Sequence, residues 1–314
     1  MLIDRWGRPV MELRISVTAS CNYNCFFCHR EGHSRGRSEM KPEEFGSLVR
    51  VLSKQGVRRV KLTGGEPLIR EDIEEIVREI KLAGIEEISL VTNGFFLRDK
   101  ACSLKEAGLD RVNVSLHSLK REVYEKITGV DGLERALAGI EEALKCGLTP
   151  VKLNFTALKG VNEKELWEIV RFASERGLRV QFIELLTSDP SLSAYHYSLE
   201  DFQRELEGIA VRKEVRQLHN RPIYYLRNGT VIELVRGNFD PLFCMNCTRA
   251  RVTHDGFFKP CIAREDNLVD FLSIMRRGGS DEEILEKFKE FMKLREPYYK
   301  LPGSSPKYDD ILEV

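Results

Sequence analysis

From residue 12 onward, short stretches of alternating apolar and polar residues give way to longer ones in which apolar residues return every three or four positions. The first kind reads as a strand and the second as an amphipathic helix. Glu12–Val17 is the first strand, and Pro42–Lys54 the first helix, with Pro42 in its first turn, where a missing N–H is tolerated. Arg58–Leu62 is a second strand. Glu71–Leu82 follows, with Ile73, Ile76, Val77 and Ile80 on one helical face. Glu87–Val91, Arg111–Leu116, Val151–Ala157 and Arg179–Leu185 continue the strands, separated by helices at Asp99–Ala107, Gly132–Lys145 and Asn162–Arg176. Such alternation predicts a parallel sheet with crossover helices. Six units are too few to close an eight-unit barrel. The expected fold is therefore α/β, an incomplete (β/α)6 TIM-like barrel with its chemistry at the C-terminal strand ends.

After Pro190 the period changes. Leu199–Leu206 reads as a short helix. Val211–Arg216, Ile223–Leu226 and Thr230–Val235 read as an antiparallel meander turning at Asn228-Gly229, and Arg249–Lys259 as a hairpin turning at Asp255-Gly256. Helices follow at Asn267–Arg276 and Asp281–Leu294, and the tail from Pro297 is expected to be loosely ordered. The organisation read from this is a barrel over residues 1–190, an extension over 191–296 that closes the barrel mouth, and a tail over 297–314.

The 314 residues carry 49 basic and 49 acidic side chains, so there is no bulk attraction to nucleic acid or to a membrane surface, and any anion site must be built locally. No apolar run approaches the length of a membrane span, and Met1–Pro9 lacks the apolar core of a secretion signal. A cytoplasmic setting is expected, in which eight cysteines are metal ligands more readily than disulfides. Six fall into two groups. Cys102 and Cys146 stand alone on helices and are expected to be small, half-buried packing residues.

The first group, Cys21, Cys25 and Cys28, follows strand one with x3 and x2 spacing. Three thiolates leave one iron of a four-iron cluster open to chelate a small molecule. Strand two ends in Thr63-Gly-Gly-Glu-Pro67, where glycines let backbone approach a ligand closely. Strands three and four end in Val91-Thr-Asn-Gly94 and Val114-Ser-Leu-His117, which make Thr92, Asn93 and Ser115 pocket candidates or plain turn and cap residues. The second group is Cys244-x2-Cys247-x13-Cys261. It suits a second open cluster, or, with His254, a Cys3His zinc site. Arg249 and Arg251 lie between its cysteines, two apart on a strand and so on one face, a fork suited to phosphate. Arg14, Lys61 and Lys152 on other strands could extend that cationic lining, or bridge to neighbours such as Glu66 or Glu184.

Together these motifs resemble the radical S-adenosylmethionine (SAM) superfamily and, within it, the GTP 3′,8-cyclase family of molybdenum-cofactor biosynthesis. The resemblance spans about residues 5–290 and includes Leu62–Leu68, Thr128-Gly129, Lys159–Asn162, Phe182–Glu184 and Cys247–Arg251. It implies two [4Fe-4S] clusters, on Cys21, Cys25 and Cys28 and on Cys244, Cys247 and Cys261. It implies SAM contacts from Phe27 through its backbone, Gly65 and Ser115. It implies GTP contacts from Arg14, Lys61, Thr92, Lys152, Arg249, Ala250 and Arg251. A 5′-deoxyadenosyl radical would take the ribose 3′ hydrogen of GTP, and C3′ would close onto C8. The implied partners are an electron donor and the next enzyme, cyclic pyranopterin monophosphate synthase. The chain departs from the bacterial pattern at His117, Gln181 and Leu186, where aspartate, arginine and methionine are usual, and in a tail without terminal Gly-Gly; it resembles an archaeal-type variant.

Overall fold

A computed structural model of the chain describes residues 1–30, 38–187, 189–237 and 240–314. A short strand β1 (Leu2–Ile3) precedes six strands, β2 (Glu12–Ser16), β3 (Arg59–Thr63), β4 (Glu87–Thr92), β5 (Arg111–Ser115), β6 (Lys152–Ala157) and β7 (Arg179–Glu184). The six pair side by side in that order, all parallel. The crossovers are α1 (Pro42–Ser53), α2 (Ile73–Leu82), α3 (Leu97–Ala107), α4 (Arg121–Thr128) with α5 (Leu133–Lys145), and α6 (Leu166–Glu175). Helix α2 buries Ile73, Ile76, Val77 and Ile80, the face its periodicity selects. In β2, Leu13 and Ile15 are fully buried. Alternation then sends Glu12 and Arg14 to the opposite face of the sheet.

The rest of the chain comprises α7 (Glu200–Ile209), β8 (Arg212–Arg216), β9 (Arg221–Tyr225), β10 (Val231–Val235), α8 (Pro241–Met245), β11 (Arg249–Val252), β12 (Phe257–Lys259), β13 (Val269–Asp270), α9 (Leu272–Arg276), α10 (Asp281–Leu294) and β14 (Leu312–Glu313). Its strands extend the barrel sheet at both edges. β10 runs parallel to β7, with Leu234 opposite Phe182, and β11 runs parallel to β2, with Arg249 opposite Glu12 and Arg251 opposite Arg14. The result is one open sheet of twelve strands, ordered β13-β12-β11-β2-β3-β4-β5-β6-β7-β10-β9-β8. Between Val235 and Arg249 the chain passes from one edge to the other, carrying Cys244 and Cys247 with it. Behind β12, Phe258, Phe271, Phe288 and Phe291 pack ring to ring and seat α10.

Two expectations are corrected. Cys102 and Cys146 are not isolated: they form a disulfide between α3 and the end of α5, with Cα atoms 5.0 Å apart. The close approach of these helices explains the pairing. Gly139 of α5 lies where a side chain would press on Gly94 and Leu97 at the start of α3. The tail is not loose either. Lys307 N–H donates to the Arg5 carbonyl at 2.7 Å, and β14 pairs antiparallel with β1.

Candidate active site

The loop of Cys21, Cys25 and Cys28 leaves the C-terminal end of β2 and lies on the Thr63–Pro67 segment. Gly65 N–H donates to the Thr18 carbonyl and Glu66 N–H to the Ser20 carbonyl, both at 2.8 Å. A Cβ on Gly64 or Gly65 would run into those same carbonyls, and Gly64 has φ of 141°. In this structure the backbone that approaches these glycines is that of the cysteine loop itself. Asn24 N–H donates to the Thr128 carbonyl at 2.9 Å and Phe26 N–H to Ile127 at 3.2 Å, so the C-terminus of α4 supports the loop from the other side. Glu66 is buried and accepts from Thr92 Oγ1 at 2.7 Å, Asn93 N–H at 2.7 Å and Leu68 N–H at 3.0 Å. Burial pushes its carboxyl up to about 7.

Thr92 is thereby committed to Glu66, and it does not line the cationic cavity described next. Phe27 packs edge-on against His117, with ring centroids 5.1 Å apart. His117 Nδ1 accepts from Thr156 N–H at 3.1 Å, and burial lowers its pKa to about 4, so the imidazole is neutral. Ser115 ends β5, half-buried and opposite Asn154.

The second constellation lies inside the open barrel. Cys244, Cys247 and Cys261 line one cavity together with Arg14, Lys61, Lys152, Arg249 and Arg251. Ala250, between the two arginines, is fully buried on the other face. Four further cations that sequence reasoning did not single out, Arg8, Arg111, Arg216 and Arg221, share the lining, against a single carboxylate there among the described residues, Glu296. Gln181 and Leu186, two of the departures from the bacterial pattern, also face this space. The lining has two walls. Arg14, Lys61, Arg249 and Arg251 rise from β2, β3 and β11; Lys152, Arg216 and Arg221 rise from β6, β8 and β9.

Each wall has one buried carboxylate behind it, and neither is the partner expected from sequence. Glu12 accepts from Arg249 Nε at 2.5 Å. Glu233 faces Lys152 at 2.5 Å, Arg221 at 3.1 Å and Arg216 at 3.4 Å. Glu66 instead serves its own turn, and Glu184 accepts from Leu199 N–H and Arg236. Burial acts to lower Arg249, but Glu12 outweighs it and holds the guanidinium above its ordinary value. The others are less well compensated. Burial, then the charge of Arg249, pulls Arg14 down to about 9; burial and Arg14 do the same to Arg251; burial pulls Lys152 to about 8 despite Glu233. Buried cations in this condition favour a polyanion that restores their charge balance.

The loop of the second cysteine group is fixed by residues from both chain ends. Asp4 is fully buried and bridges Arg8 at 2.9 Å and Arg295 at 3.0 Å. Arg8 Nη1 donates to the Cys244 carbonyl at 3.1 Å and Arg295 Nη2 to the Cys247 carbonyl at 2.8 Å. No local sequence signal marks this triad, whose members lie up to 291 positions apart in numbering (295 − 4).

Residues 15–173 match the radical SAM superfamily, and residues 178–301 match Molybdenum Cofactor Synthesis C. The chain is 52% identical over 309 residues to a probable GTP 3′,8-cyclase of Thermococcus kodakarensis, covering 96% of this chain and 100% of that one. It is 46% identical over 307 residues to a probable GTP 3′,8-cyclase of Pyrococcus abyssi, covering 95% and 100%. The chain belongs to the GTP 3′,8-cyclase family. Among solved structures, Streptococcus suis SuiB matches with a TM-score of 0.64 at 16% identity, over 93% of this chain and 67% of that one. Native anSMEcpe with bound AdoMet matches with a TM-score of 0.62 at 20% identity, over 90% and 83%. At these identities the likeness is one of fold, the unclosed radical SAM barrel.

The family's cofactors are SAM and two [4Fe-4S] clusters, and the donor sets fit them. Backbone N–H groups of Tyr23, Arg30 and Tyr299 point at the sulfurs of Cys21, Cys28 and Cys244, at 3.4, 3.4 and 3.5 Å. Such bonds stabilise cluster thiolates. Burial pushes the Cys25 thiol up to about 12, so its thiolate requires metal cations beside it. Among the described residues, neither cysteine group has three donor atoms within 4.8 Å of one another. Tetrahedral zinc, with bonds of about 2.3 Å, needs sulfurs about 3.8 Å apart. His254 sits in the β11–β12 turn and is not among the residues lining the cavity of the three cysteines. The Cys3His zinc reading therefore loses its fourth ligand.

Proposed function

We propose that this chain converts GTP to 3′,8-cyclo-7,8-dihydro-GTP, the first step of molybdenum cofactor biosynthesis. The observation that carries the reading is the sharing of one cavity by Cys244, Cys247 and Cys261 and by two walls of buried cations, in a chain with no net charge. A nucleobase beside the three sulfurs and a triphosphate between the walls would occupy it together.

Cys21, Cys25 and Cys28 would hold the cluster that binds SAM, and Cys244, Cys247 and Cys261 the cluster that faces guanine. The chemistry SAM and the reduced cluster supply when bound is a 5′-deoxyadenosyl radical able to take the ribose 3′ hydrogen. The chain's own residues position and exclude. The Phe27 backbone, Gly65 and Ser115 border the SAM side; Thr92, expected from the sequence as a GTP contact, holds Glu66 of the Thr63–Pro67 turn. Arg14, Lys61, Lys152 and Arg251 bind the triphosphate from both walls, and Arg249, braced by Glu12, aligns β11 for it. Held at both ends, the nucleotide has its ribose fixed, and such positioning supplies much of an enzyme's rate enhancement. An external electron donor and hand-over to cyclic pyranopterin monophosphate synthase complete the reading, in a cytoplasmic setting; no described helix is long and apolar enough to cross a membrane.

The test is anaerobic turnover with SAM, dithionite and GTP, followed by mass analysis. A product isomeric with GTP, formed with 5′-deoxyadenosine, is expected. Recovery of unchanged GTP while SAM is cleaved would refute the reading.

A further inference from the structure

Arg221 opens β9 and is 3% exposed, yet it lines the cavity. Its guanidinium is only partly used. Nε donates to the Leu218 carbonyl at 3.2 Å, and Nη1 faces Gln181 Oε1 at 3.2 Å and Glu233 Oε1 at 3.1 Å. Nη2 is buried and has no hydrogen-bond partner among the described residues. Arginine donors left in that state lose their hydration with nothing in exchange. The charge count agrees. Among the described residues, Glu233 is the one carboxylate in ion-pair contact with Lys152, Arg216 and Arg221, so three cations of this wall share one negative charge.

The backbone points the same way. His219 and Asn220, directly before Arg221, both have positive φ, 63° and 50°. Two consecutive left-handed residues without glycine persist only where surrounding structure holds them. Here the His219 ring stacks on Phe243 with centroids 3.9 Å apart, and His219 N–H donates to the Asn246 carbonyl at 2.9 Å. The strained turn is thus clasped to the segment bearing Cys244 and Cys247, and it sets where Arg221 stands relative to them.

We propose that Arg221 is a substrate-anchoring residue whose Nη2 donates to a phosphate oxygen of the nucleoside triphosphate, from the wall opposite Arg14 and Arg251. The inference rests on the GTP reading and deepens it: phosphate recognition is two-sided, and one side is registered to the second cysteine group.

The test compares GTP binding by anaerobic holoenzyme carrying no substitution, Arg221→Met, Arg221→Met with Glu233→Gln, and Arg14→Ala. Arg221→Met is expected to weaken GTP affinity roughly ten- to hundred-fold, the range for a hydrogen bond to a charged group, with iron content unchanged. The double variant restores the wall's original net charge but is expected to stay weak. If the double variant returns to the unsubstituted affinity, Arg221 merely neutralises Glu233 and the proposal is overturned. It is overturned alone if Arg14→Ala weakens GTP binding and Arg221→Met does not. Failure of the unsubstituted enzyme to bind GTP would instead overturn the functional reading, and this inference with it. Should Arg221→Met lose iron, Arg221→Lys keeps a charge beside Glu233. That variant is expected to bind GTP several-fold more weakly, and full affinity would overturn the proposal.

Discussion

Lys152 carries a charge that its surroundings oppose. Burial lowers its pKa to about 8 from the ordinary 10.5. The sign follows from linkage: between these values the unfolded chain holds more protons than the folded one, so this group's contribution to stability rises with pH across the window. A triphosphate reverses the local balance by favouring the protonated amine. GTP binding near pH 8 should therefore take up protons, and affinity should fall as pH rises from about 8 to 10. Calorimetry in buffers of different ionisation enthalpy measures the uptake; binding without proton exchange at pH 8 would contradict it. Lys152 also marks what sequence could and could not tell. The two cysteine groups were legible because their spacing is local, and strand alternation was enough to nominate Arg14, Lys61, Lys152, Arg249 and Arg251. The carboxylates behind the cations were not legible. Glu233 lies 81 positions from Lys152, and Glu12 lies 237 from Arg249. In sequence both look like ordinary polar positions of half-buried strands.

Among the elements, the six parallel strands and most crossover helices followed from periodicity. Helix α4 did not: it is eight residues long and buries only Tyr124, Ile127 and Thr128, too short a stretch to establish a helical period. The expected helix over Asn267–Arg276 is in fact β13 followed by the five-residue α9. The meander was visible from Asn228-Gly229, but its parallel docking on β7 is a choice between distant edges that no local pattern encodes. The α3–α5 pair makes a prediction at this scale. Its disulfide closes a loop of 44 residues, for which chain entropy gives a stabilisation of about 4 kcal/mol. Cys102→Ser should lower the melting temperature by several degrees and remove the response to added dithiothreitol. An unsubstituted protein that melts identically with and without reductant would show that the bond does not form in solution.

For the whole molecule, the extension and tail complete the second cysteine site more than they cap the first. Tyr298 lines the cavity, Tyr299 N–H points at Cys244 Sγ, and β14 ties the tail to β1. Removing residues 297–314 should reduce iron from about eight to about four per chain, if each cubane holds four, while the first group keeps its share. Iron analysis with electron paramagnetic resonance separates the two, and retention of both clusters would deny the tail this role.

The pairing of β2 with β11 also dictates an order of assembly. The backbone supports of the first cysteine loop, from Thr18 to Thr128, emerge within the first half of synthesis, and Tyr195, which packs on Phe26, follows them. That site can mature while the ribosome is still extending the chain. β2, however, remains an unprotected sheet edge until Val252 appears, a state prone to wrong pairing. The second site waits longer still, because Arg295 and Tyr299 come almost last. The backbone supports of the second cysteine group are therefore made after those of the first.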